Sequence, residues 1–225
     1  MNSTAFATEA GNGTAVLAQL WYQLDIPVGG AQDGARYHLE LTLGKIDPFV
    51  FFDQNNYADD ESEAFLNNVF VHNPLLDSGG DVGGDAYGFA PGVRLAWFGR
   101  LGDTSGTWGL SAGLFGAGAG LGFDRRPGDP FAIVQTRYSG PALGGLDGTY
   151  RLYVWRNTRA APFNNAADPA HETHTGWGIS ADQQIAAHAG AFVRYGHALR
   201  GQAAFDRALT VGLQLNGPLW GREND

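Results

Sequence analysis

Arg36-Tyr37-His38-Leu39-Glu40-Leu41-Thr42-Leu43 puts Tyr37, Leu39, Leu41 and Leu43 on one side of an extended chain and Arg36, His38, Glu40 and Thr42 on the other. Successive side chains of a strand point to opposite faces, so this alternation predicts a strand with one apolar and one charged face. The reading extends in both directions. Over residues 16–26, Val16, Ala18, Leu20, Tyr22, Leu24 and Ile26 alternate with Gln19, Trp21, Gln23 and Asp25. Near the C-terminus Leu209, Val211, Leu213 and Leu215 alternate with Thr210, Gly212, Gln214 and Asn216. Further strands are expected over 87–99, 107–116, 131–138, 149–157, 177–184 and 188–196, with Gly, Asp, Asn or Pro clusters between most of them. That makes about nine strands and no long helix, an all-β antiparallel chain.

Composition agrees with sheet. The 225 residues include 34 Gly and 12% aromatics but only 16% charged residues, where a soluble domain carries about 25%. Lys45 is the sole lysine among 14 basic residues, so the positive charge is almost all arginine, whose rigid fork of donors suits fixed hydrogen bonding. A net charge of −9 with pI near 5.0 argues against nucleic acid as a partner, because neutralising phosphates needs clustered Lys and Arg. With 0 cysteines there is neither a disulfide nor a thiolate metal site. No run of about 18 apolar residues marks a transmembrane helix, whereas barrel strands would leave no such run. Residues 1–10 lack the basic and apolar regions of a secretory signal peptide, which an exported chain would need.

Alternation alone leaves two architectures open. In a soluble sandwich the apolar faces pack together; in a membrane barrel they meet lipid and the polar faces line a lumen. Trp21, Tyr22, Tyr37, Tyr87, Trp97, Trp108, Tyr138, Tyr150, Trp155, Trp177 and Tyr195 fit interfacial girdles as well as they fit core aromatics. Residues 47–84 form a connection far longer than usual, aromatic and acidic in its middle, and loops of that size tend to be functional. Its Phe51, Phe52, Tyr57, Phe65 and Phe70 are expected to order it by internal contacts and hold it against the polar face of the sheet.

Short motifs carry little. Gly109-Leu110-Ser111-Ala112-Gly113 matches a nucleophile-elbow pattern, but the Gly-rich stretch after it is a poor helix, so an enzyme built on Ser111 is disfavoured. His171-Glu172-Thr173-His174 lacks the spacing of a zinc helix and reads as loop. Asp53, Asn55, Asp59, Asp60 and Glu61 offer oxygens to calcium but lack the glycine and closing glutamate of an EF-hand, which leaves only a calcium site of another kind open. More telling are Arg36, Glu40, Arg94, Arg151, Asp182 and Arg194, each in register opposite a row of apolar side chains. In a sandwich they are solvated; in a barrel they face the lumen, where such groups can hydrogen-bond sugar hydroxyls.

Gly44-Lys45-Ile46-Asp47, Phe52-Asp53-Gln54-Asn55-Asn56-Tyr57-Ala58-Asp59-Asp60-Glu61, Phe65-Leu66-Asn67 and Val71-His72-Asn73-Pro74 carry a resemblance to the long loop of the OprB-type carbohydrate-selective porins. Tyr150-Arg151-Leu152-Tyr153-Val154-Trp155, Ser180-Ala181-Asp182-Gln183-Gln184, Phe192-Val193-Arg194-Tyr195-Gly196 and Gly217-Pro218-Leu219 extend it. It implies an antiparallel up-and-down outer-membrane barrel of about sixteen strands, through which mono- and oligosaccharides pass without a catalytic residue, metal or cofactor. Residues 1–225 would then be a single porin-like barrel segment with 47–84 as its constriction loop. Arg36, Glu40, Asp53, Tyr57, Arg94, Arg151, Asp182 and Arg194 would line the pore, carbohydrates and outer-membrane lipid would be the partners, and oligomeric assembly is left open. About nine strands cannot close so large a barrel, and an open edge in lipid is costly, so the sequence is expected to be a piece of a porin or a truncated product. The alternatives are a soluble or surface carbohydrate-binding β-protein and, well behind, an enzyme.

Overall fold

Period-two sequence gives period-two structure. In the computed structural model, which describes residues 17–29, 37–59, 65, 69–76, 89–100, 106–116, 130–160, 172–201 and 205–222, nearly all regular structure is strand. The strands are β1 (Leu20–Val28), β2 (Tyr37–Ile46), β3 (Ala90–Arg100), β4 (Thr107–Phe115), β5 (Phe131–Pro141), β6 (Asp147–Ala160), β7 (Glu172–Ala186), β8 (Ala189–Arg200) and β9 (Arg207–Leu215). They form one 9-stranded antiparallel sheet in sequence order, an up-and-down meander that is open at β1 and β9 among the described residues. Strands and register match the alternation, although most strands run a few residues beyond the expected limits. His174, expected in a loop, lies in β7, while Arg36 and His171 lie outside the described residues.

The register aligns like with like. Leu41, Leu95, Ala112, Val134, Val154 and Trp177 stand side by side from β2 to β7, so one face is a continuous apolar surface. It is uncovered, with Leu95 at 49%, Val154 at 52% and Leu209 at 65% exposure. In water a monomer rarely tolerates an apolar patch of this extent. Toward one end of β2 to β4, Tyr37, Trp97 and Trp108 form a band of ring contacts with centroids 5.4–6.5 Å apart. Tyr138 and Tyr150 continue it on β5 and β6 at 6.4 Å. At that same end the strands are joined by residues 29–36, 101–106, 142–146 and 187–188, and at the other by 47–89, 116–130, 161–171 and 201–206. Connections are thus shorter on the aromatic end.

The opposite face carries Glu40, Thr42, Arg94, Ser111, Gln135, Arg137, Thr149, Arg151, Ser180, Asp182, Arg194 and Thr210. Although polar, much of it is buried, because the β2–β3 connection lies on it. The core therefore sits between loop and sheet: Phe52, Leu75 and Leu76 of the loop pack with Ile46, Ala90, Phe115, Phe131, Ile133, Tyr153 and Trp155.

Candidate functional site

A short turn aims the loop inward. Asp47 accepts a hydrogen bond from the Phe49 amide at 2.9 Å, capping a 3-10 turn over Pro48–Val50 that bends the chain from the end of β2 over the polar face. Phe51 then meets Trp21 edge-on at 5.7 Å and lies 4.6 Å from the Arg94 guanidinium, a cation–π contact that caps that arginine. Phe52 drops into the core above Gly113, where a Cβ would come within 2.9 Å of its ring. The absent side chain makes the close approach possible.

Asp53 is the hub. It is fully buried with φ at +57°, a left-handed conformation that Asp tolerates better than most residues. Its carboxylate accepts from the Tyr153 hydroxyl at 2.8 Å, the Asn73 amide at 2.6 Å and Arg194 Nε at 3.3 Å, while its own amide donates to Gln135 Oε1 at 2.9 Å. Arg194, 1% exposed, also donates to the Phe70 carbonyl at 2.6 Å and the Asp53 carbonyl at 2.9 Å. One side chain from β8 thereby holds both limbs of the loop. The returning limb is tied again where Asn73 Nδ2 donates to the Tyr153 hydroxyl at 2.8 Å.

A second clasp lies farther along. Asn55 Nδ2 donates to Ser180 Oγ and the Ala181 carbonyl, each at 3.2 Å, and Ser180 Oγ donates to the Gln54 carbonyl at 2.7 Å. Asn56 donates to both oxygens of Asp182, at 2.6 and 3.2 Å, and Arg151 donates to the same carboxylate at 2.8 Å. Tyr57 ends this descent lying over Gly190 of β8. The aromatic contacts differ in one respect from expectation: Phe65 stacks on Phe70 at 5.3 Å, but Phe51, Phe52 and Tyr57 pack on the sheet, and Phe65 itself reaches Phe192 at 5.4 Å. The loop is ordered mainly by the wall beneath it.

The residues singled out from sequence fall into distinct groups. Asp53, Arg151, Asp182 and Arg194 come together under the loop, buried, and most of their donors and acceptors are used by the loop or by each other, Arg151 Nε being without a partner among the described residues. Arg94 is buried nearby, paired with Glu40 at 2.7 Å, and donates to Ser111 Oγ at 3.4 Å. Ser111 thus sits inside β4, with no sharp turn to present it as a nucleophile. Glu40 and Tyr57 stay partly open. Asp53 and Asn55 spend their side-chain oxygens and amide on protein partners, while Asp60 and Glu61 lie outside the described residues. The sequence reading passed over Asn73, Gln135, Tyr153, Ser180 and Arg137. Gln135, Arg137, Tyr153 and Ser180 share the polar register of their strands, so the alternation that selected Arg151 would have selected them too. Asn73 stood inside the Val71-His72-Asn73-Pro74 stretch that carries the resemblance, with its place before Pro74 as a physical signal.

Asp59, half-buried, accepts from the Asn55 amide at 3.2 Å and lies 3.5 Å from Arg194 Nη2. Burial pushes its pKa up to about 7, with the Asp53 charge adding to the rise and Arg194 opposing it. The docked loop therefore binds this proton more tightly than an undocked loop would. Docking is strongest below about pH 4, where Asp59 is protonated in both states, and weakens as pH rises from there through about 7. In the assembled protein, proteolytic nicking of the loop should increase between pH 5 and pH 8. Asp59→Asn should flatten that dependence; an identical pH profile would exclude Asp59 as its source.

An uncovered apolar face with an aromatic band, backed by a polar face under an inward-folded loop, defines a class: the wall of a transmembrane β-barrel of porin type. The chain belongs to the carbohydrate-selective porin, OprB family, whose sequence model matches residues 2–225. Among solved structures it is similar to the high-pH structure of Pseudomonas putida OprB, with a TM-score of 0.65 and 19% sequence identity over 92% of this chain and 51% of that one. The chain thus spans about half the length of that porin. A comparison with curated proteins finds no significant match.

Proposed function

We propose that residues 1–225 form a barrel segment in the wall of an outer-membrane pore for carbohydrates, with the β2–β3 loop as its constriction. The observation that carries this is the double clasp, Asp53–Arg194 and Asn56–Asp182–Arg151, which holds a long loop on the polar face instead of leaving it in solvent. A loop fixed across that face narrows a lumen, and a narrow polar lumen favours small hydrated solutes. Asp53, Arg94, Arg151, Asp182 and Arg194 act as the frame of the constriction, while Tyr57 and Glu40 meet the passing sugar. Strands beyond these nine complete the barrel, since β1 and β9 would otherwise present unpaired backbone to lipid at several kcal/mol per group. By the short-turn rule of such barrels, the aromatic end faces the periplasm and the long loop enters from outside.

The apolar face separates this reading from a soluble carbohydrate-binding protein. Val154→Arg, mid-strand on that face, should cost about 2–4 kcal/mol of folding free energy in vesicles. Were the face covered by protein in water, the loss would appear without lipid as well. The functional test is osmotic swelling of liposomes carrying the assembled protein: hexoses should enter faster than through protein-free bilayer, and equal rates would reject the pore.

A further inference from the structure

Three of the four buried or half-buried arginines at the centre of the polar face are neutralised: Arg94 by Glu40 at 2.7 Å, Arg151 by Asp182 at 2.8 Å and Arg194 by Asp53 at 3.3 Å. Arg137 is not. Among the described residues it makes neither a hydrogen bond nor an ion pair, and its Nε is buried without a partner. It stands on β5 directly opposite Arg151 of β6 and Gly109 of β4. Over Gly109 lies the Phe98 ring, 2.5 Å from where a Cβ would be, so the β4 position beside Arg137 is filled by an aromatic ring that also stands 5.7 Å from the Arg94 guanidinium. One pleat along β5, Ser139 opens a polar cavity of about 380 Å³, whose wall also includes Thr107, Thr149, Asn56, Tyr57 and Asp182.

These groups call for a particular ligand. A guanidinium fork with no carboxylate of its own takes an anion, preferably bidentate. The charges of Arg94 and Arg151 are balanced by Glu40 and Asp182, which leaves Arg137 to supply the positive field, and Asp182, though part of the cavity wall, is committed to Arg151 and Asn56. Asp147 at the cavity is exposed, so water and salt screen it. The hydroxyls of Thr107, Ser139 and Thr149 offer hydrogen bonds to further hydroxyls. We propose that Arg137 and the adjoining cavity form a subsite for acidic sugars, the carboxylate on Arg137 and the sugar hydroxyls toward Thr107, Ser139 and Thr149. This rests on the pore reading and adds to it a preference among solutes.

The test compares glucuronate with glucose at equal concentration and low salt, in liposomes carrying the parent protein, Arg137→Gln or Arg137→Lys. The Gln variant should lower the ratio of glucuronate to glucose permeation about tenfold while glucose flux stays within about twofold, and Lys should retain most of the ratio. An unchanged ratio, or an equal fall for both sugars, would overturn the subsite. If Arg137→Gln does not insert, the parent decides: glucuronate should block its ion current at lower concentration than glucose, an advantage that shrinks in high salt, and equal blocking would overturn the proposal. A parent that admits glucose with no preference for the acid refutes the subsite alone, whereas one that admits neither sugar refutes the pore reading with it.

Discussion

Replacing residues 57–70 by a short glycine-serine bridge should raise the single-channel conductance of the assembled porin several-fold. The removed segment begins where Tyr57 lies over Gly190 and ends where Phe70 gives its carbonyl to Arg194, so both of its ends meet β8, as does Phe65 through Phe192. The strand ladders do not depend on it: every pairing from β1 to β9 is between neighbouring strands. Insertion should therefore survive. What is lost is the packing of Tyr57, Phe65 and Phe70, each part-buried and so contributing less than the roughly 1.5–3 kcal/mol of full burial, which offsets part of the entropy of ordering the loop. Conductance equal to the parent's would mean that the loop does not narrow the lumen.

Asp53→Ala should produce a comparable opening from a single substitution. Alanine in the left-handed region costs about 1–2 kcal/mol, and Arg194 would keep only the half-buried Asp59 carboxylate at 3.5 Å, a loss below the roughly 3–5 kcal/mol of a fully broken buried pair. Tyr153 and the Asn73 amide lose their acceptor as well. Burial pushes the Asp53 carboxyl above the usual range, and the Arg194 charge, then the Tyr153 and Asn73 hydrogen bonds, pull against it. Asp53→Asn keeps the shape and tolerates the backbone, so it should hold the loop better than alanine and worse than aspartate. The readout is current noise and mean conductance. Noise rising in alanine and partly in asparagine fits a hub; a quiet, parent-like current in alanine would show that the loop is held elsewhere.

The sheet was legible because alternation is local: Tyr37, Leu39, Leu41 and Leu43 need no tertiary knowledge to be placed on one face, and the pairing of β2 with β3 confirms them. Which solvent that face meets was not legible, since a sandwich and a barrel share the same period. The loop was legible as a feature through its length and aromatics, and its position on the polar face followed from Phe51, Phe52 and Tyr57 needing a surface. Its clasps were not. Asp53 and Arg194 are separated by 141 residues, and nothing in the sequence pairs them across that distance. The same limit explains why the arginines looked alike: only the three-dimensional register gives Arg94, Arg151 and Arg194 their partners and leaves Arg137 without one among the described residues.

The absence of cysteine permits one direct measurement of the central claim, that the polar face lines a water-filled lumen and the apolar face meets lipid. Val134 and Ser139 lie on opposite faces of β5, so one strand supplies both probes. Single-channel current is recorded in the assembled protein before and after adding a charged, membrane-impermeant thiol reagent, in Ser139→Cys and in Val134→Cys. The account expects a stepwise fall in current for Ser139→Cys and none for Val134→Cys. A response in Val134→Cys with silence in Ser139→Cys, or the same response in both, would contradict it.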